Sequence, residues 1–223
     1  MGQYITVRLV TLSALLLGSL ITGLAGANEL CKPFRGGKVD PKLVQTMLEA
    51  AEDGHLYRMK PASSRIGFCV DSEFARVEAE FRDFQGGLAL WPDRSGKNQQ
   101  ALVSIKVASL DTDGSIIEHM LKSKRFFDVM NYPEILFVST ALDWMSQTRG
   151  ELRGDLTLHG ITRPVIFSVL MTGDKDEDGV IRKIVVRAGA TISRSAFGMD
   201  TLSQLVDDSV DLCMTVEAIR HGN

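Results

Sequence analysis

The chain has 223 residues, a formal net charge of −3 and 44% hydrophobic residues. No basic stripe runs through it, which excludes nucleic acid as a partner, and beyond the N-terminal run no stretch is long and apolar enough to span a bilayer as a helix. After the first 27 residues, the length is that of one domain.

Residues 1–27 read as a secretory signal peptide. Arg8 supplies the positive end, Leu9 to Leu24 is an apolar run without charge, and Ala25-Gly26-Ala27 is an A-x-A cleavage site that predicts a mature start at Asn28. The run is short for a spanning anchor, and its small-residue end favours cleavage. Asn28, Glu29 and Leu30 do not form a lipobox before Cys31, so the product reads as soluble and exported, periplasmic or secreted. Losing Arg8 takes the charge from −3 to about −4, still mild.

Residues 28–55 form an N-terminal helical extension. Asp40 suits an N-cap and Pro41 the first helical position. Val44, Met47, Leu48 and Ala51 share one helical face, and Gly54 is a stop. Such a helix either packs on the outside of the domain that follows or closes one end of it.

From residue 56 to 219 the pattern is strands. Ile66, Phe68 and Val70 alternate, as do Val77, Ala79 and Phe81 before Gly86-Gly87. Trp91 to Asn98 is a turn cluster, and Leu102 to Leu110 is β-suited. Asp111, Thr112 and Asp113 are placed to cap a following helix, and Ile116, Ile117, Met120 and Leu121 recur at helical spacing. Phe126-Phe127 follow, and Pro133 ends this excursion ahead of a strand through Ile135, Phe137 and Ser139. Gly150 to Met171 reads as a hairpin. Leu152, Leu156 and Leu158 oppose Arg153, Asp155 and Thr157; a turn spans His159 to Pro164; Val165, Phe167, Val169 and Met171 return. Asp174 to Gly179 imitates a calcium loop at its first six positions, but Val185 stands at the twelfth and β patterns flank it, so it predicts a hairpin turn and no metal site. Val180 to Ala196 and Val206 to Ile219 complete the set, the latter with Val210, Leu212, Met214 and Val216 on one parity. Around eight strands at this spacing predict an all-β sandwich or up-and-down barrel.

In an oxidising compartment the three cysteines, Cys31, Cys69 and Cys213, give one disulfide and one free thiol. Three pairings exist. Cys69 and Cys213 both lie on the parity opposite the apolar residues and meet on the outer side if the first and last strands are neighbours, so the expected disulfide is Cys69–Cys213. Without a C-x-x-C it is not a redox pair. There is no G-x-S-x-G, no H-E-x-x-H and no Gly-rich phosphate loop, and the histidines at 55, 119, 159 and 221 are scattered. Nothing in these patterns argues for an enzyme, and no cofactor is expected.

Four stretches carry a family resemblance. They are Val107 to Thr112; Glu118 to Asp128 with Asn131 to Phe137, which hold the paired Phe-Phe-Asp and the Tyr-Pro before a strand; Gly154 to Val165; and Thr191 to Met199, with its Arg-x-x-Phe-Gly. In this order the chain resembles the YceI-like family of exported, lipocalin-like lipid-binding proteins, over about Leu56 to Ala218. It departs from the family at Asp71-Ser72, where a histidine is usual, and near Glu78-Ala79, where a glycine is usual. The resemblance implies an eight-stranded antiparallel lipocalin-like barrel with a short helical insertion, enclosing an apolar tunnel for a polyisoprenoid, an isoprenoid quinone or a similar long amphiphile. It also implies a membrane b-type cytochrome as a partner, and a homodimer is a further option. The alternatives are a filled-barrel, stress-related or interaction protein, and a lipid-ester hydrolase.

A barrel of this size is filled by side chains or holds one ligand. The inward candidates for its lining are Phe68, Phe81, Phe126, Phe127, Ile135, Phe137, Leu156, Leu158, Phe167, Phe197 and Met199. Arg194 is placed either to pair with a headgroup oxygen or to make a structural ion pair. His159 is a headgroup contact or a solvated turn residue.

Overall fold

The structure is a computed structural model that describes residues 40–92 and 99–221. The expected leader, Cys31 and most of the Trp91–Asn98 turn cluster lie outside the described residues.

Period-two alternation builds nearly everything that follows. The strands are β1 (Leu56–Met59), β2 (Arg65–Ser72), β3 (Val77–Phe81), β4 (Phe84–Ala89), β5 (Gln100–Lys106), β6 (Leu110–Thr112), β7 (Glu134–Trp144), β8 (Arg149–Leu158), β9 (Ile161–Lys175), β10 (Ile181–Ser193) and β11 (Val206–Arg220). All pairings are antiparallel. Three pairs of short strands are single staves broken by a kink. β1 and β2 are interrupted at Pro61–Ser63, yet both ladder onto β11. β3 and β4 pair in turn with β2 and β1, while β6 and β5, separated by Val107–Ser109, pair with β3 and β4. From β5 the ladder runs through β7, β8, β9 and β10 to β11. The β1–β11 pairing shuts the ring. The result is the expected eight-stave, closed antiparallel barrel, with its hydrophobic core on the inner face of the sheet.

The β8–β9 hairpin is tighter than its sequence suggests. The turn is His159-Gly160 alone, with φ of 52° and 73°, the double positive φ of a type I′ connection whose twist matches the strands. Pro164 therefore lies inside β9, opposite Asp155, in a stretch that ladders to β8 before the β10 pairing begins at Ser168. Gly154 sits inward on β8; a Cβ there would stand 2.6 Å from the Phe137 ring and 2.5 Å from the Val138 carbonyl. Its glycine lets that ring lie against the wall.

Helix α1 (Pro41–Glu52) starts as expected: the Asp40 carboxylate accepts the Lys42 amide at 2.9 Å, and Gly54 follows the last turn at φ 68°. Its buried face is centred on Leu43, Met47 and Ala50, one position from the expected Val44, Met47, Leu48 and Ala51. The partners explain the shift. Leu102 and Leu136, with Val138, point outward from β5 and β7, and Leu43 and Met47 pack on them. The helix covers the side wall rather than closing an end. It also accounts for the unbroken burial of Ala101 to Ile105 in β5, a strand covered on both faces.

Helix α2 (Ser115–Lys122) differs from expectation at its start. Its N-cap is Gly114, without a side-chain cap. Asp111 instead pairs with Arg82 at 2.8 Å, and the Thr112 hydroxyl donates to the Glu78 carbonyl. Both residues are used to hold β6 against β3. Beyond Lys106 the barrel parts, since β7 begins only at Glu134. The connection between them, carrying α2, fills the gap.

Candidate functional site

Inward side chains from every stave enclose an apolar cavity of about 160 Å³ along the barrel axis. Apart from Arg194, each lining side chain is hydrocarbon or thioether. Phe68, Phe81, Ile135, Phe137, Leu156, Leu158, Phe167 and Met199 border it, as do Phe126 and Phe127 from the connection after α2. Phe197 does not. It is 2% exposed in the short turn Ser195–Phe197, packed within the core.

Several liners were not singled out from the sequence, among them two groups on β11 and β5. Leu212, Met214 and Val216 on β11 share the recognised inward parity and could have been found by it. Ala101, Val103 and Ile105 on β5 were hidden in a run whose outward residues are also buried.

Aromatic rings gather toward one end. Phe68, Phe81 and Phe127 lie within 5.6–6.1 Å of one another, Phe81 and Phe127 edge to face. Phe137 meets Phe167 edge to face at 5.2 Å. Ile117, Met120 and Leu121 of α2 complete that end. Toward the other end Tyr57 is buried, and its hydroxyl donates to the Ile181 carbonyl at 2.8 Å. Burial pushes that phenol above its ordinary pKa.

Arg194 is 4% exposed, lines the cavity, and is held by backbone carbonyls rather than by the ion pair that was one of its two expected arrangements. Its Nε donates to the Asp207 carbonyl, Nη1 to those of Met199 and Thr201, and Nη2 to that of Val206, at 2.6–2.9 Å. Four of a guanidinium's five N–H donors thus fall on backbone carbonyls. The charge is held by peptide dipoles, and the loop from β10 to β11 is tied to a single side chain. Asp208 lies nearby; hydrogen bonds from Ser193 and Ser195, then the Arg194 charge, hold its carboxyl below the usual range.

His159 also joins neighbouring loops. Its Nδ1 lies 3.1 Å from the Phe197 carbonyl, and its ring is 4.6 Å from that of Tyr132. In the Asp174–Gly179 turn, Asp176 Oδ1 accepts the amides of Asp178 and Val180, and Oδ2 accepts from Arg182 Nε. These bonds hold its carboxyl below the usual pKa and make it the clasp of a hairpin.

The profile of the YceI-like domain matches residues 57–218. The chain belongs to the YceI-like family. A UPF0312 protein of Pseudomonas putida (strain W619) is 29% identical over 147 residues, spanning 66% of this chain and 76% of the relative. One from Pseudomonas syringae pv. tomato is 31% identical over 151 residues, with the same coverage. Among solved structures, Burkholderia cenocepacia BcnA superposes with a TM-score of 0.65 at 22% identity, covering 71% of this chain and 98% of that one. A polyisoprenoid binding domain from Saccharophagus degradans, implicated in plant cell wall breakdown, gives 0.54 at 13% identity, with coverage of 74% and 98%. At these identities the structures show the fold.

The YceI-like barrel brings Cys69 and Cys213 onto its outer face as neighbours, but as free thiols, not the expected disulfide. Cys69 stands opposite Asp211 and Cys213 opposite Gly67, which makes them a diagonal pair across β2 and β11. The thiols are close enough to hydrogen-bond, and Arg76 Nη2 donates to Cys69 Sγ at 2.8 Å.

Replacing Arg194 with Met leaves four carbonyls without their donor. At about 1–3 kcal/mol for each buried group left unpaired, and with partial rescue by water, the expected loss is about 3 kcal/mol or more, read as a lower urea midpoint; an unchanged midpoint would refute the hub role. Burial, reinforced by the neighbouring Cys69, pushes the Cys213 thiol up. Less thiolate is therefore present at a given pH. Iodoacetamide should label Cys213 more slowly than a free cysteine at mildly alkaline pH, and Cys69→Ser should speed it. A non-reducing peptide map that links the two residues would contradict the thiol pair.

Proposed function

We propose that this YceI-like chain is an exported binding protein that holds one long apolar chain of an isoprenoid-type lipid in its barrel. The observation that carries the reading is the lining, which is apolar around the whole axis with a single charged group, Arg194, already committed to backbone carbonyls. Such a site offers burial and little else. Burial contributes about 0.8 kcal/mol per methylene, so a long tail gains affinity without polar contacts. The description of the Saccharophagus degradans domain as polyisoprenoid binding supports this choice of ligand class. The signal-like pattern of residues 1–27 supports a periplasmic or secreted location. Reaction chemistry needs an acid, base or nucleophile facing the substrate; the lining instead consists of hydrocarbon and thioether groups, which favours carriage over turnover.

The size of the cavity constrains how it fills. At about 160 Å³ it is smaller than the roughly 300–1,000 Å³ of ordinary small-molecule pockets. A tail therefore enters by turning side chains aside. Met59, Met120, Met199 and Met214 are among the liners, and unbranched thioethers re-pack more readily than β-branched residues. The expected occupant is a thin, flexible chain rather than a rigid polycycle.

Ala188 faces the cavity from β10, and its neighbour Arg187 faces out. Ala188→Phe should lower uptake of a cyclodextrin-delivered polyprenyl lipid by about tenfold or more, the equivalent of about two methylenes of lost burial, while the β circular dichroism spectrum is kept. Arg187→Phe should leave uptake unchanged. If folded Ala188→Phe binds as well as the unaltered protein, the barrel interior is not the site.

A further inference from the structure

Most of the large apolar residues exposed among the described residues gather at one end; Met145, Ile166 and Ile219 lie elsewhere. Phe74, Ile116 and Met130 are 84%, 84% and 85% exposed, and Leu202 and Leu205 are 41% and 39% exposed. Phe74 lies in the β2–β3 loop, Ile116 and Met130 in the β6–β7 connection, and Leu202 and Leu205 in the β10–β11 loop. In a closed antiparallel meander these connections all fall at one end. Contacts join them into a rim. The Glu73 amide donates to the Leu205 carbonyl at 3.0 Å, Tyr132 touches His159, and His159 reaches the Phe197 carbonyl. In the β7–β8 and β9–β10 turns at the opposite end, Met145 is the one exposed large apolar residue.

This rim is continuous with the cavity. Ile117, next to Ile116 in α2, and Met120, one turn further on, line it, and so do Val77, near Phe74, and Val206, next to Leu205. All four are half-buried. An apolar path thus runs from the exposed side chains into the barrel. The charge on the rim is divided. Exposed Lys124 and Arg125 accompany Ile116 and Met130, and neither has an ion partner among the described residues; Glu73 and Asp200 stand beside Phe74 and Leu202.

Large exposed apolar groups mark interaction sites. Here the three most exposed residues project from well-separated positions on two connections, Phe74 from one and Ile116 and Met130 from the other, like prongs. A protein partner needs a matching pocket for each, whereas a fluid bilayer accepts separate prongs and positions cations at its headgroups. We propose that this end of the barrel docks on a lipid bilayer. Phe74, Ile116 and Met130 enter the boundary between headgroups and acyl chains, Lys124 and Arg125 face anionic headgroups, and the cavity opens toward the membrane from which a tail is drawn. The inference rests on reading the cavity as a lipid site, but its test is separate.

The test is co-sedimentation of the purified protein with vesicles of phosphatidylethanolamine and phosphatidylglycerol, alongside uptake of polyprenyl lipid from cyclodextrin, where no membrane is present. The unaltered protein should bind vesicles. Phe74→Ser, Ile116→Ser and Met130→Ser combined should weaken that binding by at least about tenfold, given the apolar area withdrawn, with cyclodextrin uptake kept. Lys124→Glu with Arg125→Glu should weaken binding to the phosphatidylglycerol vesicles more than to neutral ones. No vesicle binding, equal binding by the triple variant, or a dimer in sedimentation velocity that the triple variant abolishes would each overturn the docking proposal and leave the carrier reading standing. Vesicle binding with no cyclodextrin uptake would support docking and remove the carrier reading.

Discussion

Closure of the sheet is the constraint on which the rest depends. β11 ladders to β10 along one side and to both β1 and β2 along the other, so the barrel's main ring has no open edge. Closure fixes parity. A slip of one residue in any stave would turn its apolar set to water and its charged set inward. Phe68 opposite Leu212, Phe137 opposite Leu156 and Ile192 opposite Val210 are thereby forced onto one interior. The cavity follows from the same geometry, because an eight-stave barrel leaves an interior just wide enough for side chains or one small ligand.

The three kinks make the ends unequal. By breaking at Val107–Ser109, β6 leaves the β7 side and follows β3. The gap opened there is filled by α2 and by Phe126-Phe127, which sit on a connection rather than on a rung of the sheet. On the far side of the same end, Arg194 anchors the β10–β11 loop through four carbonyls. One end of the cavity is therefore bounded by connections, and the region around Tyr57 by laddered strands. The asymmetry suits a one-ended binding site.

Most of the barrel could be read from period-two alternation, and the features missed have a common cause. The alternating runs of β2, β8, β9 and β11 declared their faces because their outer residues are polar. β5 did not, since α1 covers Leu102, and a strand buried on both sides loses its alternation. The same contact moved the buried face of α1 by one residue. Asp111 and Thr112 had good capping chemistry, but cross-strand partners Arg82 and Glu78 claimed them. Arg194 was recognisable as an unusual residue in an apolar segment; that its partners are peptide carbonyls depends on a loop path no local pattern encodes. For Cys69 and Cys213, strand adjacency was legible, but their diagonal register was not.

Whether the barrel interior holds one long lipid tail is read by native mass spectrometry on protein exported and purified without detergent, followed by organic extraction. One long-chain isoprenoid lipid per chain, released on denaturation, is the expected result. A native mass equal to the polypeptide alone, with no uptake when polyprenyl and quinone lipids are offered, would contradict it and leave a barrel filled by its own side chains.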